Sequence, residues 1–394
     1  WLKDFVQDHV FSWSHLYCLY LPSAMASVLS STPASERPAP SGVQDLCVAG
    51  EALIDFLPRE TKDGDPAYMP KAGGSPFNVC IAARRLGLPV HFFSGVSTDL
   101  FGEDLYNHLG REKVDLSLVQ RVAKPTTLAF VSRTAGADVK YAFFKENAAD
   151  RSLTREASAA AMEGRSFGAV HMSLGAVTFE DQQMADAFAE LFGAAQKRGA
   201  FTSFDPNIRG PMIAGGAEAY RAKVEEFMGL VDLAKSSDAD IEFLYGQEAK
   251  LEDVAERWLK LGARLVVVTK GPEGAVAFYR PAATGTAASV SAVPPTTQPN
   301  TIDASGKAAP VVDTVGAGDT CMGGLLFGLL GGGGAASLAP QLAGGAAWDD
   351  AAAARLAEIL KHAVAGAAIN CSRPGADPPT SQEVAAALAA LDCA

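Results

Sequence analysis

The stretch VVDTVGAGDTCMGGLLFGLL, residues 311–330, decides the reading of this chain. An apolar run ends in Asp313 and Thr314, passes through Gly316, Ala317 and Gly318, and opens a long apolar helix headed by Asp319 and Thr320, so the order predicts strand, turn, helix. Residues without bulky side chains let backbone amides approach an anion, and a helix N-terminus adds about half a positive charge at the same point. A carboxylate there would repel a resting phosphate, which makes Asp319 wasteful for binding alone. It makes sense as a base that takes the proton of a hydroxyl attacking that phosphate. The plainer reading is an ordinary acid near a helix N-terminus, which stabilises the helix dipole by about 0.3–1 kcal/mol.

Other glycine-rich loops fit less well. A phosphate loop of the G-x-x-x-x-G-K-[ST] type fails because Gly306 and Lys307 are followed by Ala308. A dinucleotide fingerprint needs glycine at 321, where Cys321 stands, and an acid about 20 residues on, where the chain reads LAPQLAGG.

Outward from that stretch, the chain alternates. Apolar runs at 45–56, 91–96, 169–173, 201–205 and 265–269 read as strands, and 77–86, 104–113, 180–197, 218–231 and 253–261 read as helices. This predicts an α/β fold with a mostly parallel, doubly wound sheet flanked by helices. Residues 126–144 break the rhythm as a hairpin, readable as a small sheet apart from the main one, and residues 280–310, lacking Leu, Phe and Trp, read as an exposed insertion. The first 44 residues, Ser- and Pro-rich after Met25, are expected to stay outside the fold as a tail or targeting segment, with the catalytic unit spanning 45–394.

Composition limits the function classes. The 394 residues are 48% hydrophobic, enough for a large core and against disorder. With 45 acidic residues against 33 Lys and Arg, the net charge of −12 disfavours nucleic acid and anionic membranes as partners. No apolar segment near the start reaches the roughly 20 residues of a membrane span. The six cysteines stand singly, which argues against a zinc or disulfide framework and for a reducing, cytoplasmic setting, with organellar targeting by residues 1–44 as the alternative.

DTVGAGD, residues 313–319, resembles the late signature D-T-x-G-A-G-D of the ribokinase-like (PfkB) carbohydrate kinases at every fixed position. AGGSPFNVCIAARRLG, residues 72–87, resembles the family's earlier signature, a Gly-Gly turn leading into an Asn-bearing helix. The resemblance implies a ribokinase-like fold with a small β-sheet lid around 59–71 and 124–146, and the transfer of a phosphoryl group from ATP to a sugar hydroxyl with Mg2+. It implies Asp319 as base and the Gly316, Ala317 and Gly318 turn, with Thr314, around the phosphate. It further implies that Asp55, Gly73, Gly74 and Asn78 touch the sugar, and that the lid supplies a homodimer contact.

SFDPNIRG, residues 203–210, is similar to a D-P-N-x-R element of the fructokinase branch, which implies sugar contacts by Asp205, Asn207 and Arg209. Lys145, at a position where arginine is more usual, stands where another sugar contact is implied. AKSSDADIEFLYG, residues 234–246, resembles a segment that positions magnesium and phosphate, which implies nucleotide contacts by Lys235 and Ser237 and a metal role for Asp240. VVVTKGPEGA, residues 266–275, resembles a nucleotide-contacting turn through Thr269, Gly271 and Gly274, and AAINCSRPGADPPT, residues 367–380, resembles a segment closing over adenine near Asn370. Asp313 is implied to help hold a monovalent cation such as K+.

On these resemblances the expected reaction converts fructose to fructose 6-phosphate. The alternatives are 2-keto-3-deoxygluconate or another sugar or nucleoside of the family, and an inactive binding homologue. A hydrolase built on HMSLG, residues 171–175, lacks the first glycine of a nucleophile elbow.

Overall fold

In a computed structural model, which describes residues 45–132, 140–175, 177–281, 287–293, 300–334, 337–344 and 348–393, the strand Leu46–Gly50 is buried along its whole length. Its side chains alternate between two cores, Leu46 and Val48 in one, Cys47 and Ala49 in the other. Leu265–Thr269 divides the same way, with Leu265 and Val267 on one side and Val266 and Val268 on the other. Such strands are covered on both faces, which explains their uninterrupted apolar texture.

The main sheet has eight strands in the order Ala288–Ala292, Ala275–Tyr279, Leu265–Thr269, Leu233–Ser237, Phe201–Asp205, Ala169–Ser173, Leu46–Gly50 and Val90–Phe93. The last six are parallel, and the first two extend the edge antiparallel. One face carries helices Ser75–Leu86, Ala317–Leu329 and Asp350–Cys371; the other carries Gln182–Lys197, Gly216–Phe227 and Leu251–Leu261. No helix among the described residues is long and apolar enough to cross a membrane.

Three expectations need correction besides the run at 91–96, which is split into Val90–Phe93 in the main sheet and Gly95–Ser97 in a two-stranded sheet with Gln120–Val122. The run at 45–56 is two strands in different sheets: Leu46–Gly50 in the main sheet, and Leu53–Glu60 in a second, four-stranded one. Gly50 makes the break at φ 139°, where a Cβ would sit 2.7 Å from both Pro76 and the Ser173 carbonyl. Secondly, residues 311–314 are not a strand. They run outside the sheet with Val311 and Val312 half exposed, anchored where the Val312 amide donates to the Cys371 carbonyl at 2.8 Å.

The third concerns the insertion. Its described part does bury side chains, because Ala288–Ala292 pairs with Ala275–Tyr279 as an edge strand, Ile302 is fully buried, and the Thr301 hydroxyl donates to the Ala368 carbonyl at 2.6 Å. Small residues suffice there, since an edge strand draws much of its stability from backbone pairing. Positions 282–286 and 294–299 lie outside the described residues, as do 1–44 and the hairpin tip at 133–139.

The four-stranded sheet has the order Pro66–Gly73, Leu53–Glu60, Thr127–Ser132 and Lys140–Phe144. Its residues alternate as a half-covered sheet requires. Leu53, Asp55, Leu57, Val131 and Phe143 face the cavity described next, while Phe56, Tyr68, Phe130 and Phe144 form an aromatic cluster on the outer face, with Phe56 and Phe130 stacked at 4.5 Å.

Candidate active site

The helix Ala317–Leu329 is apolar nearly all round, which fits its burial between Ser75–Leu86 and Asp350–Cys371. Its N-terminus therefore emerges from the core at the carboxyl edge of the parallel strands, where open α/β sheets bind ligands. Gly316 precedes it at φ 76°, a left-handed conformation glycine adopts without strain, and a Cβ there would fall 2.5 Å from that of Ala376. No side chain caps this end. Among the described residues the Gly316 and Gly318 amides have no backbone acceptor, whereas the Ala317 amide is spent on the Thr314 carbonyl at 3.2 Å.

A cavity of about 870 Å³ opens above this turn, under the four-stranded sheet. Thr314, Gly316, Gly318 and Asp319 line it together with Lys235, Asn207, Arg209, Asn78, Gly73, Gly74 and Asp55. The family resemblance implies sugar or phosphate contacts for all eleven, and the fold gathers them from five separate stretches of chain. Ala317 is not on the cavity wall.

Asp319 is held from two sides. The Ser75 hydroxyl donates to Oδ1 at 2.7 Å and the Asn78 amide donates to Oδ2 at 2.8 Å. Asn78, expected to read the sugar, is thus tied to the expected base. Each carboxylate oxygen keeps a lone pair for a further donor, so the arrangement orients Asp319 without blocking it.

Lys235 lies on the floor with Nζ 2.7 Å from Asp205 Oδ2, both nearly fully buried. The same ammonium is 3.3 Å from where a Cβ on Gly318 would be, so an anion at the turn would meet amides and ammonium together. Burial works against the Lys235 charge, but the Asp205 carboxylate outweighs it and the lysine's pKa rises. Burial also pushes Asp205 upward against the pull of Lys235; with the two groups in hydrogen-bond contact we assign them as an ion pair. Asp205 does not line the cavity, so its place is beneath Lys235.

Other expected residues stand elsewhere. Lys145 lines a separate polar cavity of about 360 Å³ beside Lys124, Arg151 and Asp181. Ser237 and Asp240 form a capping box on the helix Asp238–Tyr245, and Asp240 also accepts the Ile208 amide at 2.9 Å. Asn370 is fully buried and clips two loops together, donating to the Val315 carbonyl at 2.8 Å and accepting the Asp377 amide at 2.9 Å. Asp313 accepts the Val315 and Gly375 amides, both at 3.1 Å. Thr269, Gly271 and Gly274 surround the turn after Leu265–Thr269, outside the cavity.

The structure adds residues that the sequence did not single out. Glu51 lines the cavity although it is nearly fully buried, and accepts the Val177 amide at 2.9 Å. Burial, with Asp150 adding to it, pushes its carboxyl from the ordinary 4.5 up to about 7. Asp55 is pushed to about 6, by burial and by Asp319 against the opposing pull of Arg209. Ser75, inside GGSPFN, carries no signal of its own in the sequence, since a serine at the start of a helix is commonplace.

The Glu51 shift has a stability consequence. A carboxyl whose folded pKa lies above its unfolded one binds its proton more tightly when folded, so its contribution is favourable at low pH and fades as pH rises from about 4.5 through about 7. The penalty at pH 8 is on the order of 3 kcal/mol at about 1.4 kcal/mol per unit. Urea unfolding of the wild type and Glu51→Gln at pH 5 and pH 8 should therefore show the variant gaining relative to wild type at the higher pH. An identical difference at both pH values would contradict a buried, titrating Glu51.

Three comparisons bear on this geometry. The family model described as "pfkB family carbohydrate kinase" matches residues 43–383. A fructokinase of Rhizobium leguminosarum bv. trifolii is 34% identical over 72% of this chain and 79% of its own length, and fructokinase-1 of Oryza sativa subsp. japonica is 29% identical over 87% and 98%. Among solved structures, a fructokinase of Xylella fastidiosa with bound ATP superposes with a TM-score of 0.70 at 24% identity, covering 88% of this chain and 98% of that one. A fructokinase of Vibrio cholerae O395 in a fructose, ADP and calcium bound form reaches 0.64 at 24% identity, covering 89% and 100%.

Proposed function

The chain belongs to the pfkB family of carbohydrate kinases and is a sugar kinase, and from that premise we propose that it transfers the γ-phosphoryl group of ATP to the 6-hydroxyl of fructose. The observation that carries the reading is Asp319, oriented by Ser75 and Asn78 in one cavity with the glycine turn and Lys235. Asp319 takes the hydroxyl proton as the hydroxyl oxygen bonds to the γ-phosphorus and the bond from that phosphorus to the bridging oxygen breaks, releasing ADP. The Gly316 and Gly318 amides and Lys235 face the charge on the transferring group. The sugar's place is the other half of the cavity, near Asp55, Gly73, Gly74 and Arg209.

A divalent cation fits this chain as a companion of ATP. No group of three His, Cys, Asp or Glu among the described residues forms a cage, and magnesium beside phosphates keeps mostly phosphate and water ligands, needing one or two carboxylates. Asp240, which lies off the cavity wall but interacts electrostatically with Asp205 and Lys235, would act on such a cation through its water ligands. When bound, the cation would neutralise phosphate charge. Asp313, beside the glycine turn, supports a proposed K+ requirement.

The aromatic outer face of the lid, with Tyr68 49% and Phe144 62% exposed, supports a homodimer through that face. The five described cysteines are free thiols, which supports a reducing, cytoplasmic setting.

Arg209 favours 2-keto-3-deoxygluconate as a second reading, since a guanidinium on the cavity wall suits a carboxylate. A coupled assay comparing kcat/KM over fructose, the keto acid, ribose and adenosine tests both. Fructose is expected to lead by tenfold or more, about 1.4 kcal/mol of transition-state discrimination. A tenfold lead for the keto acid would move the substrate assignment to it.

A further inference from the structure

The base is held by more than its nearest partners. Ser75 Oγ, which donates to Asp319 Oδ1 at 2.7 Å, lies 2.5 Å from Ser173 Oγ. Asp319, when ionised, offers no proton, so the Ser75 proton must point at it, and the contact between the hydroxyls can be made only if Ser173 donates to Ser75. Ser173 ends the strand Ala169–Ser173 and is fully buried, in register with Gly50 on one side and Asp205 on the other. Ser75 is nearly buried, the first residue of the helix Ser75–Leu86. The chain Ser173–Ser75–Asp319 thus runs from the middle of the main sheet to the reacting centre and fixes every rotor along it.

We propose that Ser75 and Ser173 are positioning residues that act as one unit to hold Asp319 in the orientation needed to accept the proton of the sugar hydroxyl. Neither takes or gives a proton in the net reaction: the hydroxyl proton ends on Asp319, and the two serine protons stay where they are. A hydroxyl donor chain strengthens along its length, because Ser75 polarised by Ser173 is a better donor to the carboxylate. Without Ser75, Asp319 keeps only the Asn78 anchor and its carboxylate can swing about that single contact. Without Ser173, Ser75 keeps its acceptor and loses only the polarisation, so the loss is smaller.

The inference rests on the sugar-kinase reading, and a double-mutant cycle on the full chain separates the two. Steady-state kinetics with ATP and fructose are measured for the wild type, Ser75→Ala, Ser173→Ala and the double variant, with thermal unfolding alongside. Ser75→Ala is expected to lower kcat about tenfold with both KM values within about twofold, the pattern of a group that acts on the transition state rather than on ground-state binding. Ser173→Ala is expected to cost about threefold, and the double variant to equal Ser75→Ala alone. Reintroducing a hydroxyl in Ser75→Thr should recover part of the rate. A merely structural role would lower the unfolding temperature and leave kcat of the folded protein unchanged. A Ser75→Ala enzyme as fast as wild type, or losses that multiply in the double variant, overturns the unit; a wild type that phosphorylates no sugar overturns the kinase reading and the unit with it.

Discussion

Asp319→Asn should reduce kcat by about 10²- to 10⁴-fold, the usual cost of removing a general base. The substitution keeps the shape of the side chain but replaces an acceptor oxygen with an amide. The two groups that hold Asp319 are both donors, so one of them, Ser75 or Asn78, then faces another donor. ATP affinity should change little, because the glycine turn and Lys235 are untouched; calorimetric titration with ATP alone measures it. Single-turnover measurement of sugar phosphate formation checks the rate. Turnover within tenfold of wild type would remove Asp319 as the base and return it to the plainer role of an acid favouring a helix dipole.

The second large effect is on stability. In Asp205→Asn the Lys235 ammonium, only 5% exposed, loses its counter-charge while staying buried. Breaking one side of a buried ion pair costs about 3–5 kcal/mol, since desolvation is no longer offset. For a chain of this size that lowers the unfolding temperature by about 4–7 °C. The asparagine can still accept the Asn207 amide, now 3.0 Å from Oδ1, so local geometry is preserved and the charge effect is isolated. Replacing Lys235 with methionine in the same background should recover most of the loss. A drop under about 2 °C in differential scanning calorimetry would show that water or a local rearrangement compensates the lysine.

How much of this was legible follows from what kind of signal each residue carries. The glycine turn and Asp319 were readable because a strong steric need and a charge sit together, and the parallel strands because burial on both faces leaves long apolar runs. The hairpin 126–144 was readable as a separate sheet, and its strands Thr127–Ser132 and Lys140–Phe144 do lie in the second sheet. The split at Gly50 was hidden, because one glycine inside an apolar run looks like part of a strand until Pro76 and Ser173 close in on it from elsewhere. Glu51, Ser75 and Ser173 were invisible as a group: they come from three places in the chain and no spacing rule links them. Asp240 and Asn370 were found as positions, but their hydrogen bonds go to backbone groups of distant loops, which only the fold reveals.

Two of the connections that join the second sheet to the body are about as short as a chain permits. Only Glu51 and Ala52 separate Leu46–Gly50 from Leu53–Glu60, and only Gly74 separates Pro66–Gly73 from the helix that begins at Ser75. Both joints lie in the cavity itself, one at a buried carboxyl and the other at the hydroxyl that touches Asp319. At these two joints the cover has little slack with which to rock independently of the cavity beneath it. Any tilt of that sheet, whether brought about by a ligand pressing on Asp55 or by a second molecule pressing on its outer aromatic face, works as a short lever on the anchor of the base. Opening the cover and loosening Asp319 would then be one mechanical event, and water entering with the cover ajar would find the proposed base out of line.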